Sequence, residues 1–85
     1  MKFMHNIKQL SGLLPDEKCR VLSINSGEEI RRRLLDMGLI PGTSVSCVFK
    51  SPWGDPSAYL IRGALVALRR EDADEIIVSQ EYGGA

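Results

Sequence analysis

The chain of 85 residues is poor in the side chains on which most enzyme and metal sites depend. It has one histidine, His5, and two cysteines, Cys19 and Cys47, with no Cys-x-x-Cys pair. A transition-metal site needs three or four converging His, Cys or carboxylate ligands. No glycine is followed by lysine, so the phosphate-binding Gly-x-x-x-x-Gly-Lys loop is absent. These absences predict no catalytic residues, no cofactor and no specific metal site.

The chain also lacks a net charge and a long apolar segment. Eleven acidic residues balance eleven basic ones, whereas nucleic-acid-binding proteins usually carry a basic excess. The longest uncharged run, residues 37–49, is too short to cross a bilayer. No apolar segment typical of a signal peptide follows the first residues. We therefore expect a cytoplasmic protein that binds no nucleic acid and does not insert into a membrane.

The two cysteines have a structural interpretation. Cys19 shares the parity of Val21 in a predicted strand, and Cys47 shares that of Val45 in another. Apolar positions of this kind predict two buried, reduced thiols. A disulfide is the alternative, because the two strands could be neighbours.

The length fits one domain, residues 1–85, with an ordered core over residues 7–80. Alternation of apolar and polar residues, and the turn formers between them, predict five short strands. The strands are expected at residues 18–24, 44–50, 58–62, 64–68 and 76–79. Such strands with one helix between them predict a mainly β fold, a small closed or nearly closed barrel with one inserted α-helix.

In two of the predicted strands the sequence indicates which side chains face the core. In the first, Val21 and Ile24 have opposite parity, so a bulge or a strong bend is needed to bury both. In the second, Val45, Cys47 and Phe49 are expected to share the buried face.

The predicted helix covers residues 27–37. Ser26 precedes it with the Ser-x-x-Glu spacing of a capping box. Ile30, Leu34 and Met37 fall on one side of the helix and are expected to form its buried stripe.

A compact corner follows the helix. Gly38 can adopt the left-handed conformation that ends a helix, and Leu39 stands where a Schellman motif places a hydrophobic contact. Pro41 and Gly42 then fit a type II turn. Leu39 and Ile40 could each pack inward or stand exposed.

Three motifs resemble the FeoA family and occur in its order. They are Arg-Leu-Leu-Asp-Met-Gly-Leu-Ile-Pro-Gly at residues 33–42, Pro-Trp-Gly-Asp-Pro at residues 52–56, and Arg-Gly at residues 62–63 followed by Ala-Leu-Arg-Arg-Glu-Asp-Ala at residues 67–73. The resemblance implies an SH3-like barrel with an inserted helix. It also implies a non-enzymatic accessory protein of ferrous-iron transport, in a family associated with transition metal ions.

The partner implied by the resemblance is the membrane ferrous-iron permease of the FeoB type. The chain would dock on its cytosolic GTP-binding region and modulate it by protein–protein contact, at the inner face of the cytoplasmic membrane. An alternative comes from the SH3-like C-terminal domain of DtxR-type repressors, which is also similar. In that case the chain would act in trans in metal-dependent transcriptional regulation.

Two segments are the candidate partner-binding sites. The first is the corner of Gly38, Leu39 and Ile40. The second is the loop of Pro52, Trp53, Gly54, Asp55 and Pro56, because tryptophan commonly supplies the binding energy of interfaces. Alternatively, the tryptophan covers one end of the barrel while the loop aspartate accepts backbone N–H groups. Weak self-association through such a surface is an additional expectation.

Overall fold

The computed structural model describes residues 6–53 and 55–80. Within these residues six strands are formed: β1 Asn6–Gln9, β2 Lys18–Ile24, β3 Ser44–Lys50, β4 Ser57–Ile61, β5 Ala64–Leu68 and β6 Ile76–Gln80. The helices are α1 Glu28–Asp36, the single-turn α2 Arg70–Ala73, and a 3₁₀ turn at Leu10–Gly12. The prediction of a mainly β fold with one inserted helix is confirmed.

All six strands belong to one antiparallel sheet in the order β1-β6-β2-β3-β4-β5. The strand number is one more than predicted, because β1 was missed. Its sequence, Asn-Ile-Lys-Gln, has a single apolar residue and no strand signal of its own. Pairing with β6 gives it its conformation. His5 and the two ends of the chain lie outside the described residues.

One face of the sheet carries the core. Its largest fully buried side chains are Tyr59, Leu10, Leu13, Leu39, Ile61, Ile76, Val21, Val45, Val78, Cys19 and Cys47. The segment between β1 and β2 covers part of this face. There the hydroxyl of Tyr59 donates to the Leu10 carbonyl oxygen at 3.4 Å, and Lys50 Nζ donates to the Ser11 carbonyl oxygen at 2.8 Å.

Two bulges decide which side chains face the core. In β2 the register shifts between Val21 and Ser23, so Leu22 is exposed while Ile24 is buried. The predicted bulge is therefore confirmed. In β3 the register shifts between Cys47 and Phe49, and Phe49 is 56% exposed. The prediction that Phe49 shares the buried face is wrong, because the bulge turns it outward.

The helix α1 is shorter than predicted, and its capping box is absent. Gly27 is the N-cap, without a side-chain cap, and the buried Ser26 Oγ has no hydrogen-bond partner. Ser26 lies one position too early to cap a helix that begins at Glu28. Met37 is the C-cap and is exposed, so its place in the buried stripe was also wrong. Leu34 is buried as expected.

The predicted Schellman motif is formed at the end of α1. The N–H of Leu39 donates to the Leu34 carbonyl oxygen at 3.0 Å, and the N–H of Gly38 donates to that of Leu35 at 2.9 Å. Gly38 has φ +97°, as this motif requires. The following turn is closed by a bond of 2.9 Å from the Thr43 N–H to the Ile40 carbonyl oxygen.

The predicted hairpin between β4 and β5 is confirmed. Its two-residue turn, Arg62 and Gly63, has positive φ at both positions. This combination is typical of a type I′ turn, whose twist matches that of the flanking strands. The turn sets the register, with Ile61 opposite Ala64 and Leu60 opposite Leu65.

Candidate protein-interaction surface

The two predicted partner-binding segments lie at opposite ends of β3. The corner at residues 38–40 precedes the strand, and the Trp53 loop follows it. A strand of seven residues spans about 20 Å at ~3.3 Å per residue. The two segments therefore do not form one continuous site.

The corner is mostly part of the fold. Leu39 has no exposed surface and belongs to the core, so its inclusion in a partner-binding site is wrong. Thr43 Oγ1 accepts the Ile40 N–H at 3.2 Å and donates to the Gly38 carbonyl oxygen at 3.0 Å. Ile40 is 42% exposed, and it is the side chain of the corner that a partner could contact.

The Trp53 loop is different because its indole stands in solvent. Trp53 is 89% exposed, so the alternative in which it covers one end of the barrel is wrong. Pro52, Asp55 and Pro56 are also exposed. The structure leaves Gly54 outside the described residues.

Hydrogen bonds hold the base of this loop. The Asp55 N–H donates to Ser51 Oγ at 2.8 Å, and the Ser51 N–H donates to the Pro56 carbonyl oxygen at 3.3 Å. Asp55 Oδ1 accepts the Arg70 N–H at 2.9 Å, which ties the loop to the start of α2. The expectation that this aspartate accepts a backbone N–H is confirmed. The tryptophan is thus exposed on a tethered loop.

An apolar surface lies on the outer side of the sheet and extends from Phe49, near the end of β3 that the loop follows, toward the β4–β5 hairpin. We call Phe49, Leu60 and Leu65 the outer apolar face. Their exposed fractions are 56%, 42% and 64%. Leu60 and Leu65 are cross-strand partners, and Phe49 pairs with Ala58 in the neighbouring row. Clustered exposed apolar residues of this kind mark interaction sites on soluble domains.

These three residues were missed from the sequence for identifiable reasons. Phe49 follows a bulge that strict alternation does not anticipate. Leu60 and Leu65 could have been found from the turn, since a two-residue loop at residues 62–63 places them opposite each other. Because Leu60 lies between the buried Tyr59 and Ile61, the pair must face outward.

The outer face becomes basic beyond the apolar residues. Ser46, which pairs with Leu60, is also the partner of Lys18. Lys18 and Arg62 line one shallow depression together with Ser44 and Ser46. In the described residues neither cation takes part in an ion pair. The surface therefore combines an apolar area with a cationic border.

The thiols are not available to this surface. Neither Cys19 nor Cys47 forms a disulfide and both are 1% exposed, so the prediction of buried, reduced cysteines is confirmed. Burial raises the pKa of the Cys47 thiol. Over residues 6–53 and 55–80 no three His, Cys, Asp or Glu side chains are grouped to hold a metal ion. None of the helices described there has the length and apolar character needed to span a membrane.

Comparisons with known proteins connect this fold to iron transport. The FeoA domain family model matches residues 8–80. The chain is 34% identical over 70 residues to the Fe(2+) transport protein A/Fe(2+) transporter FeoB fusion protein of Porphyromonas gingivalis. That match covers 82% of the chain but spans only 8% of the length of the fusion protein.

Solved structures give the same answer. A FeoA-like protein of Clostridium acetobutylicum has a TM-score of 0.81 and 29% identity. The match covers all of this chain and 95% of the Clostridium protein. FeoA of Stenotrophomonas maltophilia has a TM-score of 0.74 and 30% identity, and the match covers 82% of this chain and 87% of that protein. That protein was solved with zinc and is described as a prokaryotic SH3 domain protein. The fold is SH3-like, and the chain belongs to the FeoA domain family.

Proposed function

We propose that this chain is a non-enzymatic accessory protein of ferrous-iron transport. It docks on the cytosolic GTP-binding region of the membrane iron permease and modulates that protein by contact. The fusion of a similar FeoA segment to FeoB in P. gingivalis supports the partnership, because fusion keeps two domains close together. The chain would then work at the inner face of the membrane while held there by its partner.

The observation that carries this proposal is the exposure of Trp53 together with that of the outer apolar face. A tryptophan, a phenylalanine and two leucines supply a large apolar contact area, and aromatic residues lose little entropy when they are held in an interface. Their exposure leaves their burial free energy to be gained on binding. The cationic border at Lys18 and Arg62 would orient the partner.

Modulation requires a difference between states of the permease. Binding shifts a conformational equilibrium only if the bound protein contacts one state more favourably than the other. A nucleotide-dependent affinity of this chain for the GTP-binding region would be such a difference.

The test is a titration of the purified protein against the cytosolic region of the permease, with and without nucleotide. We expect binding at tens of micromolar or tighter. The double variant Leu60→Ser, Leu65→Ser should lose this binding and keep its fold, because both side chains are exposed. Ile7→Ser is the matched control, since Ile7 is 65% exposed on β1, at the far edge of the sheet. No binding under any nucleotide condition would contradict the proposal.

The alternative role in transcriptional regulation stays a prediction. A gel-shift assay with a metal-dependent repressor and its operator would support it if this chain altered the repressor's complex. An unaltered complex would leave the permease as the partner.

A further inference from the structure

The two edges of the sheet are protected to different degrees. β1 has four residues, includes Lys8, and its Gln9 Nε2 donates to the Asp74 carbonyl oxygen at 3.0 Å. β5, Ala64–Leu68, has no charge, no proline and no bulge, and it pairs over its whole length with β4. Natural sheets usually protect their edge strands with such features. The β5 edge is therefore an open template for another strand.

The hairpin register identifies the groups at this edge. In a two-residue hairpin the pair next to the turn exchanges both hydrogen bonds, and such pairs then alternate. Ala64, Val66 and Leu68 therefore bond to β4. Leu65 and Ala67 direct their N–H and C=O groups away from it. Among the described residues, neither has a backbone hydrogen bond on that side.

A groove runs along β5, and α1 forms its other wall. On the helix side it is lined by the apolar Ile30, Leu34 and Met37 and by the basic Arg33. On the strand side it is lined by the half-buried Val66 and by Leu68. An extended chain added to β5 would place alternate side chains in this groove and beside the outer apolar face.

Charge restricts what can occupy the edge. Arg62, at the hairpin end, forms no ion pair within the described part of the chain. At the other end Arg69 lies near Glu71 and Asp72, which line the same groove. A complementary strand therefore has an acidic residue near Arg62 and no charge along β5.

We propose that β5 receives an extended segment of the permease's cytosolic region as a seventh strand of this sheet. The segment has about five uncharged residues, matching the length of β5, and an acidic residue at the end near Arg62. Its backbone bonds to Leu65 and Ala67. This inference rests on the proposed function and names the contact through which that function operates.

A second copy of the chain fits this edge less well. Two β5 strands that use Leu65 and Ala67 of both copies must be centred on Val66. That register places the hairpin turn with Arg62 of one copy at the end of β5 where Arg69 and Arg70 of the second copy follow the strand. Basic residues would then meet at both ends, and their repulsion is destabilising.

The direct test is amide hydrogen exchange, read residue by residue by NMR, with the permease's cytosolic region as the probe. The amides of Leu65 and Ala67 should exchange rapidly in the free protein and slow at least tenfold on binding. Those of Val66 and Leu68 should be protected in both states. Binding without slower exchange at Leu65 and Ala67 would overturn the strand proposal and leave the proposed function intact. Absence of binding would overturn both.

A variant pair gives an independent readout. Ala67→Pro removes an N–H that points away from β4, and proline is tolerated on edge strands in this orientation. It should weaken binding roughly fivefold or more, the loss of one hydrogen bond of typical net strength. Ala67→Val keeps the N–H and should bind within about threefold of the parent chain. Equal affinities of a folded Ala67→Pro and of Ala67→Val would contradict the proposal, and if the proline variant does not fold, the exchange experiment decides.

Sedimentation at the same concentrations tests whether a second copy of this chain occupies the β5 edge instead. A monomer that binds the permease segment supports the proposal. A dimer that shows the same two slowed amides without the permease would assign the edge to a second copy and overturn it.

Discussion

The two segments that flank β3 look alike in sequence but have different roles. Both contain proline and glycine beside large apolar residues. At the corner before β3, Leu39 is fully buried and backbone bonds join the helix end to the strand. In the loop after β3, Trp53 is 89% exposed. An apolar residue in a turn thus serves the fold in one case and remains available for a partner in the other.

What separates the two cases is the hydrogen bonding around each apolar side chain. The Schellman motif fixes the chain direction at Leu39, whose side chain belongs to the same buried core as that of Leu34. In the loop, the bonds of Ser51 and Asp55 hold the base, and no such motif directs Trp53 inward. Substitutions should therefore affect stability at the corner and binding at the loop.

The largest effect is expected from Leu39→Ala. Removing a fully buried leucine leaves a cavity beside the helix end, and such substitutions cost about 2–5 kcal/mol of unfolding free energy. Chemical denaturation followed by circular dichroism measures this loss. A loss below about 1 kcal/mol would mean that the corner contributes little to the fold.

The next effect is expected in binding. Trp53→Ala should reduce affinity for the permease's cytosolic region by about 2 kcal/mol, as for an interface hot spot. Its stability should stay within about 0.5 kcal/mol of the parent, because the indole is exposed. Ile7→Ala, on β1 at the far edge of the sheet, is the matched control and should leave affinity unchanged. Ile40→Ala tests the corner, and a larger loss of affinity there than for Trp53→Ala in calorimetric titrations would move the docking surface to the corner.

A smaller effect is expected from Gly38→Ala. A non-glycine residue in the left-handed region costs roughly 1–2 kcal/mol. The new Cβ would also stand 2.6 Å from Arg62 Cδ, so that flexible side chain must move. The double variant Gly38→Ala, Arg62→Ala removes the steric conflict and keeps the backbone strain. Thermal unfolding of the single and double variants separates the two costs, and equal stability of parent and single variant would refute both.

The smallest effect is expected in the pH dependence of stability. It arises at Glu17, which lies in neither of the two segments. Glu17 accepts the Leu14 N–H at 2.6 Å, the Lys8 Nζ at 3.2 Å and the Gln80 Nε2 at 2.6 Å. The Leu14 bond, with the smaller effects of Lys8 and Gln80, lowers the pKa of the Glu17 carboxyl below its ordinary value of 4.5. The folded form therefore binds its proton less readily than the unfolded form.

This contribution is present at neutral pH and is lost as the pH falls from about 4.5 through the lowered pKa. Glu17→Gln should make the unfolding free energy fall less steeply at acid pH. The difference should be below about 1 kcal/mol, because Glu17 and its partner Lys8 are partly exposed. Trp53→Ala should follow the parent curve. Denaturation midpoints measured between pH 3 and 7 test this, and an acid limb unchanged in Glu17→Gln would contradict it.

Most of the fold could be predicted because its signals are local. Gly38, Pro41 and Gly42 specify the corner through backbone conformation alone. The alternation of β3 locates that strand, and the turn at Arg62 and Gly63 locates β5. β1 was missed because its strand conformation comes from pairing with a distant segment. Phe49 was placed on the wrong face because a bulge depends on the neighbouring strand and not on alternation.

The candidate site was predicted only where single residues are distinctive. Trp53 was identified because tryptophan is rare in this chain and stands in a loop. Leu60 and Leu65 have ordinary strand residues around them, and their importance arises from lying opposite each other on the outer side. The groove beside β5 depends on where α1 packs, which no local pattern specifies.

The packing of Arg62 over Gly38 connects two parts of the chain that are distant in sequence. It brings the tip of the β4–β5 hairpin against the C-terminal end of α1, because glycine leaves room there for the arginine side chain. A larger residue at position 38 would push that side chain aside. The residue that ends the helix therefore also decides where the cation of the hairpin stands.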